Sequence, residues 1–348
     1  MEWVDLRSDT VTLPTPEMRE AMAMADVGDD VFGEDPTVNR LQEMSAGLMG
    51  KEAGLFVPSG TMGNLAAILA HCQRGDEAIL GNMAHSFLYE AGGMAALGGI
   101  QPRTITNQPD GTMRLEDIEE AIRSDNVHFP ITRLVVLENT HNRCGGAVLS
   151  GVYTQAVAEL AHQHGLALHL DGARIFNAAV ALGIEARELA VAADSVTFCL
   201  SKALCAPVGS VLCGSAEFIR RAQRVRKQLG GGMRQAGVLA AAGIVALETM
   251  IERLEEDHAR ARRLAQGLRQ IPGVVLQTDP PASNMVYFLL EPQAHLDAQA
   301  LVRALLEKEI KVLPVSERRI RMVLHYWIDD AGVARTVEGI RDILCRAG

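Results

Sequence analysis

Two short apolar runs constrain this chain more than any other feature. Leu166-Ala-Leu-His-Leu170 runs into Asp171-Gly-Ala-Arg174, and Ser195-Val-Thr-Phe-Cys-Leu200 runs into Ser201-Lys202. Each run is bounded by polar residues or glycine and followed by helical or loop sequence. Strands buried on both faces of a parallel α/β sheet have this pattern. In such sheets ligands lie beyond the carboxyl ends of the strands. An acid, Asp171, and an amine, Lys202, would then enter one crevice from separate strand ends. Strands that merely end at solvent would carry the same charges, so the rest of the chain has to decide.

A lysine able to form a Schiff base and an acid able to pair with a pyridinium nitrogen are the minimum requirement for pyridoxal phosphate (PLP). A third segment fits that cofactor. Glu52-Ala-Gly-Leu-Phe-Val57 reads as a strand, Pro58-Ser59-Gly60-Thr61 as a hydroxylic turn, and Met62 to His71 as a helix. Strand, small turn and helix N-terminus form a phosphate cradle, in which free N–H groups and the positive end of the helix dipole meet an anion. Ser59 would serve equally as a plain helix N-cap. Ala78-Ile-Leu80 is a further strand, ending at Gly81-Asn-Met-Ala-His85, and a ring at His85 would face the same crevice. The strand Arg133–Leu137 ends in Glu138-Asn-Thr-His-Asn142. Polar residues thus follow the ends of five strands, which argues for catalysis over a structural role.

Bulk properties narrow the partners. The 348 residues suffice for two domains, and the net charge of −10 argues against a nucleic-acid or anionic-membrane partner. The longest apolar run, Ala236 to Leu247, is too short to span a bilayer. The six cysteines show no C-x-x-C spacing and read as reduced thiols of a cytoplasmic protein. The charged start, Met1-Glu-Trp-Val-Asp-Leu-Arg7, lacks the apolar core of a signal peptide. No metal site is expected. His169 and Asp171 share a strand face, but His169 is flanked by leucines and no third ligand has suitable spacing.

The expected organisation is an N-terminal arm over 1–16, a large domain over 17–235, a connecting helix over 236–270 and a small α+β domain over 271–348. In the large domain, Gly209–Cys213 reads as a strand running back. A basic helix from Phe218 to Lys227 leads to Leu229-Gly-Gly-Gly-Met-Arg234. Lys227 and Arg234 beside three glycines suggest an anion, or simply cations complementing a helix C-terminus. In the small domain a short strand is expected over 311–314 and another over 320–324. Arg321 there could grip a carboxylate through its bidentate fork.

Taken together, Asp5-Leu-Arg-Ser-Asp-Thr-Val-Thr12, Gly28-Asp-Asp-Val-Phe-Gly-Glu-Asp35, Pro58-Ser-Gly-Thr-Met-Gly-Asn64, Leu137-Glu-Asn-Thr-His-Asn142, Leu168-His-Leu-Asp-Gly-Ala-Arg174, Leu200-Ser-Lys202, Ala206-Pro-Val-Gly209, Gly230-Gly-Gly-Met-Arg-Gln235 and Arg321-Met-Val323 resemble the low-specificity L-threonine aldolases. These are PLP enzymes of the aspartate-aminotransferase fold type (fold type I). The resemblance implies a mostly parallel central sheet flanked by helices, with a smaller α+β C-terminal domain. It also implies retro-aldol cleavage of L-threonine, L-allo-threonine or related L-3-hydroxy-α-amino acids to glycine and an aldehyde. Another fold-type-I activity, β-elimination or transamination, or a non-catalytic relative, is the alternative.

Residue by residue, the resemblance implies that Lys202 carries the cofactor as a Schiff base, Asp171 pairs with its ring nitrogen, and His85 stacks on its ring. Ser59, Gly60 and Thr61 would hold the phosphate. Arg174 would sit near the cofactor's phenolic oxygen and the substrate carboxylate, with Ser8 and Arg321 binding that carboxylate. His128 would lie near the substrate β-hydroxyl, and either histidine, or a water they hold, would act as base. Lys227 and Arg234 would lie near the cofactor end, reaching in from a partner subunit of a homodimer or homotetramer. The chain departs from the family pattern at Ala203 and Cys205, where glycines are usual, at Arg143-Cys-Gly-Gly146, and at Leu324 before His325.

Overall fold

The computed structural model describes residues 3–345. It contains two compact units, one formed by residues 14–251 and the other by the two ends of the chain, up to residue 13 and from 252 onward. The first strand, β1 (Val4–Asp5), belongs to the second of these.

The larger unit opens with α1 (Pro16–Ala23), where the Thr15 hydroxyl accepts from the Met18 amide and Pro16 needs no amide partner. Next is α2 (Pro36–Met49), capped by Asp35, whose carboxylate accepts from Thr37 and Val38, and closed by Gly50 at φ +64°. Then come β2 (Ala53–Val57), α3 (Gly60–His71), β3 (Glu77–Gly81), the short α4 (His85–Leu88) and α5 (Gly93–Ala96), and β4 (Gln101–Ile105). They are followed by α6 (Leu115–Ala121), β5 (Thr132–Glu138), α7 (Gly151–Gln163), β6 (Ala167–Asp171), α8 (Ile175–Leu182), α9 (Ala186–Ala190), β7 (Ser195–Cys199), β8 (Ser210–Gly214), α10 (Ala216–Gln228) and α11 (Gly237–Thr249).

The seven strands form one sheet in the order β2-β8-β7-β6-β5-β3-β4. β4, β3, β5, β6 and β7 pair in parallel, while β8 runs antiparallel to both its neighbours. The central strands are apolar without alternation because both faces are covered. Leu134, Val135, Val136 and Leu137 of β5 are all buried, as are Leu168 and Leu170 of β6. The two runs that open the sequence argument are therefore adjacent parallel strands, with Leu170 opposite Val196 and Asp171 opposite Thr197.

The smaller unit contains α12 (Leu254–Leu268), β9 (Val274–Leu276), β10 (Met285–Leu290), α13 (Ala298–Leu306), β11 (Ile310–Lys311), β12 (Leu313–Pro314), β13 (Arg319–Val323) and α14 (Asp330–Cys345). An antiparallel sheet in the order β12-β13-β10-β9 packs Phe288 and Ile320 against Leu264, Leu268 and Ile340. The arm is stitched in as well, since β1 pairs in parallel with β11 and the Val323 amide donates to Leu6.

Two expectations are corrected. The helix expected over 236–270 is two helices, because their apolar residues are committed to different cores. Ala240, Ala242 and Ala246 are buried in the larger unit, whereas Leu254, Ala261 and Leu264 are buried in the smaller one. Arg253, at the break, reaches forward to the buried carboxylate of Asp257 at 2.6 Å. The strand expected over 311–314 is likewise two, since the chain leaves β1 at Lys311 and joins β13 at Leu313.

Candidate active site

The carboxyl ends of β3, β6 and β7 and the start of α3 enclose a cavity of about 150 Å³. Gly60, Thr61, Asn64, His85, Glu90, Asp171, Ala173, Cys199, Ser201 and Lys202 line it. Lys202 follows β7 and Asp171 closes β6, so the two residues that define the chemistry share one space.

Asp171 is 2% exposed. Its Oδ2 accepts from Asn64 Nδ2 at 2.8 Å, and its Oδ1 accepts from the Ala173 amide at 3.1 Å. Two donors hold this buried carboxyl group in one orientation. The same Asn64 nitrogen donates to Glu90 Oε1 at 2.9 Å, and Glu90 in turn meets His85 Nδ1 at 2.9 Å. Burial works against a charged His85 ring, but the Glu90 hydrogen bond and the Asp171 and Glu90 carboxylates outweigh it, and the imidazole pKa is raised. Burial and the nearby Asp171 charge raise the Glu90 pKa despite its bonds to His85 and Asn64. Both directions favour a proton retained between His85 and Glu90. His85 is fixed a second way, its backbone amide donating to Glu138 Oε2 at 2.7 Å.

His85, Glu90 and Asp171 also offer ligand atoms within 4.8 Å of one another. Asn64 already donates to both carboxylates and His85 is bonded to Glu90, a donor set arranged for protons.

At the phosphate cradle, Ser59 caps α3 by accepting from the Met62 amide at 3.2 Å. The first amides of a helix have no carbonyl one turn back, so those of Gly60 and Thr61 are donors toward the cavity they line. Gly60 has to be glycine, because a Cβ there would lie 2.8 Å from Cys199 Sγ. The glycine loop after α10 reaches the same helix start, with a Cβ at Gly231 falling on the Met62 side chain. An amine, an ion-pairing acid and an anion cradle in one cavity fit PLP.

Other expected residues lie as follows. Arg174 is buried just past β6, at the N-terminus of α8. Lys227 is exposed in the last turn of α10, and Arg234 forms a 3.0 Å ion pair with Asp29. His128 is exposed in the loop ahead of β5 and is not among the residues lining the cavity. Ser8 and Arg321 both belong to the smaller unit, where Arg321 donates at 2.9 Å to the carbonyl of Arg7, the residue before Ser8.

Sequence reasoning missed Asn64 and Glu90. The signal for Asn64 was present, as a lone amide in the apolar helix of residues 62–71 has to be paired once buried. Nothing in the sequence pointed to Glu90.

Fold and site together define a PLP-dependent enzyme of fold type I. The β-eliminating lyase family model matches residues 5–290. Low-specificity L-threonine aldolase 1 of Arabidopsis thaliana is 51% identical over 340 residues, covering 97% of this chain and 95% of that protein. The low specificity L-threonine aldolase of Escherichia coli strain K12 is 47% identical over 343 residues, covering 99% and 100%. Among solved structures, a Leishmania major threonine aldolase superposes with a TM-score of 0.83 at 22% identity, covering 98% of this chain and 99% of that one. The chain belongs to the low-specificity L-threonine aldolase family.

Proposed function

We propose that this enzyme cleaves L-threonine, L-allo-threonine and related L-3-hydroxy-α-amino acids to glycine and an aldehyde. The observation that carries the reading is the convergence of Lys202, Asp171, and the His85–Glu90 pair in one cavity beside the start of α3. Lys202 would hold PLP covalently, Asp171 its ring nitrogen, His85 its ring face, and Ser59, Gly60 and Thr61 its phosphate. PLP held there would supply an electron sink for breaking the substrate Cα–Cβ bond.

The chain's own residues supply the rest. Asp171, oriented by Asn64 and the Ala173 amide, would present its carboxylate to the cofactor ring nitrogen. His85 is the base that removes the β-hydroxyl proton, because it lines the cavity and is backed by Glu90, whereas His128 is exposed. His128 would contact the β-hydroxyl only where a neighbouring subunit or a closed loop brings it to a cavity. Arg174, Ser8 and Arg321 would bind the substrate carboxylate, and Lys227 and Arg234 would serve the cofactor end of a neighbouring subunit's site.

A homodimer or homotetramer is supported by the exposed apolar side chains of Phe32, at 74%, and of Phe87, Leu88 and Tyr89, which begin two residues after His85. A cytoplasmic location is supported by the six free cysteines. No described helix is long and apolar enough to cross a membrane.

A coupled acetaldehyde assay with L-threonine and L-allo-threonine, on wild type and Lys202→Ala, tests the reading. Acetaldehyde from wild type alone is the expected result, and the two rates give the preference at Cβ. A PLP-loaded wild type that yields an oxo acid and ammonia instead would favour β-elimination, the reading that the description of the matching family model suggests.

A further inference from the structure

The hydrogen bonds behind Asp171 continue well past the cavity. Asn64 and His71 are seven residues apart on α3, two helical turns, and so share a face. That face lies over β6 and β7, where His169 is opposite Ser195 and Asp171 opposite Thr197. Side chains two apart on a strand point the same way. The helix and the two strands therefore bring Asn64, His169, Ser195 and His71 into one line. Asn64, His169 and Ser195 are at most 2% exposed, and the His71 ring stacks on Phe218 at 4.5 Å.

The chemistry fixes the direction of every proton in this line. Asn64 Nδ2 faces two carboxylates, which accept, so its Oδ1 faces His169 Nε2 at 3.2 Å and Nε2 must carry a proton. Burial pushes the His169 pKa down to about 4, so the ring is neutral and its Nδ1 is bare. Nδ1 then accepts from the Ser195 hydroxyl at 2.8 Å. That uses the only hydroxyl proton, so Ser195 Oγ accepts from His71 Nε2, also at 2.8 Å. Burial holds His71 down to about 3, leaving it neutral with its proton at Nε2. All the protons point toward Asp171.

We propose that His71, Ser195 and His169 are positioning residues, a one-way donor relay that acts through Asn64. It presents only donors to the inner side of Asp171, so the carboxylate is fixed as an acceptor for the protonated ring nitrogen of PLP. The proposal rests on the cofactor reading above. A network present only to satisfy buried polar atoms would need the same distances, but its loss would not reach the cofactor.

The test uses full-length protein with ¹⁵N-labelled histidine, in wild type, Ser195→Ala, His71→Ala and His71→Gln. Wild type is expected to show His169 as a single neutral Nε2–H tautomer. Ser195→Ala keeps that tautomer, which Asn64 Oδ1 sets, but leaves Nδ1 without its donor, so the Nδ1 ¹⁵N shift should move toward that of an unbonded imine nitrogen. Weakening a hydrogen bond to a charged group should raise the PLP dissociation constant about tenfold and lower kcat about as much. It should also shift the pKa read from the visible band of bound cofactor, while the KM for L-threonine changes less than about twofold. His71→Gln, which keeps a donor, should retain more PLP affinity than His71→Ala.

Unchanged cofactor affinity and band pKa in Ser195→Ala overturn the proposal. So does weakened affinity with the His169 Nδ1 shift unchanged, because the effect would then be packing. Wild type that binds no PLP overturns the cofactor reading and the relay's role with it, and the tautomer signal still reports whether the relay exists.

Discussion

Asn64 Nδ2 lies 2.8 Å from Asp171 Oδ2 and 2.9 Å from Glu90 Oε1, so one buried amide group supplies both carboxylates of the cavity. Asn64→Leu keeps the branched shape of the side chain and removes both donors. Two hydrogen bonds to charged groups are worth about 1.5–3 kcal/mol each, so a loss of about 3–6 kcal/mol is expected in thermal unfolding of cofactor-free protein. A loss below about 1 kcal/mol would mean that the two acids find other donors.

A second buried pair lies behind β2. Arg226 Nη2 meets Asp30 Oδ2 at 2.7 Å, both side chains are at most 5% exposed, and Arg226 Nη1 also donates to the Phe56 carbonyl. Part of the Gly28–Asp35 motif is therefore structural, with Asp30 pairing with Arg226 and Asp35 capping α2. Removing one partner strands the other charge. Arg226→Met alone should cost about 3–5 kcal/mol, and Arg226→Met with Asp30→Leu should recover most of that, as measured by chemical denaturation. A double variant no more stable than Arg226→Met would show that the Phe56 carbonyl, not the charge, sets the cost.

The legible parts of the site were those that end a regular pattern. Asp171, Lys202, His85 and Ser59 each close an apolar run or open a helix, so the change of pattern marks them. Asn64 sits inside such a run; Ser195 opens β7 and His71 ends α3, but the partners of all three are set by the lateral packing of α3 on β6 and β7, which no local pattern encodes. β4 was missed because Pro102 interrupts the alternation of Gln101–Ile105, a substitution an edge strand tolerates. Arg321 was legible as a strand arginine, but its bond to the Arg7 carbonyl joins residues too far apart in sequence to be read.

Buried histidines make the fold acid-sensitive. Burial lowers His71 to about 3, and His169 and His258 to about 4, from an ordinary 6.5. Their contribution is fully present above 6.5, where folded and unfolded chains are both neutral. It falls as pH drops below 6.5, because only the unfolded chain takes up the protons. At pH 5 each costs up to about 2 kcal/mol. Glu90 and Asp257 have raised pKa values and act in the opposite sense, their burial cost easing as pH falls. The melting temperature should therefore fall from pH 7 to pH 5, and His258→Gln should flatten that slope without touching the cavity. An unchanged slope in His258→Gln would place the acid sensitivity elsewhere.

The turn after Lys202 carries a non-glycine residue in left-handed backbone. Cys205 has φ +65°, is fully buried, and donates its amide to the Lys202 carbonyl at 2.9 Å. Left-handed geometry costs an L-residue about 1–2 kcal/mol. Cys205→Gly removes that cost but loses a buried thiol, worth about 1 kcal/mol, and adds freedom to the unfolded chain. The net change should lie within about 1 kcal/mol of zero. Cys205→Val puts a branched Cβ into the same geometry and should lose about 2 kcal/mol or more. Thermal unfolding of the two variants separates backbone strain from packing. If the glycine variant loses as much as the valine variant, the thiol's packing holds the turn that presents Lys202. If only the valine variant suffers, the turn is set by its backbone and accepts the family's glycine.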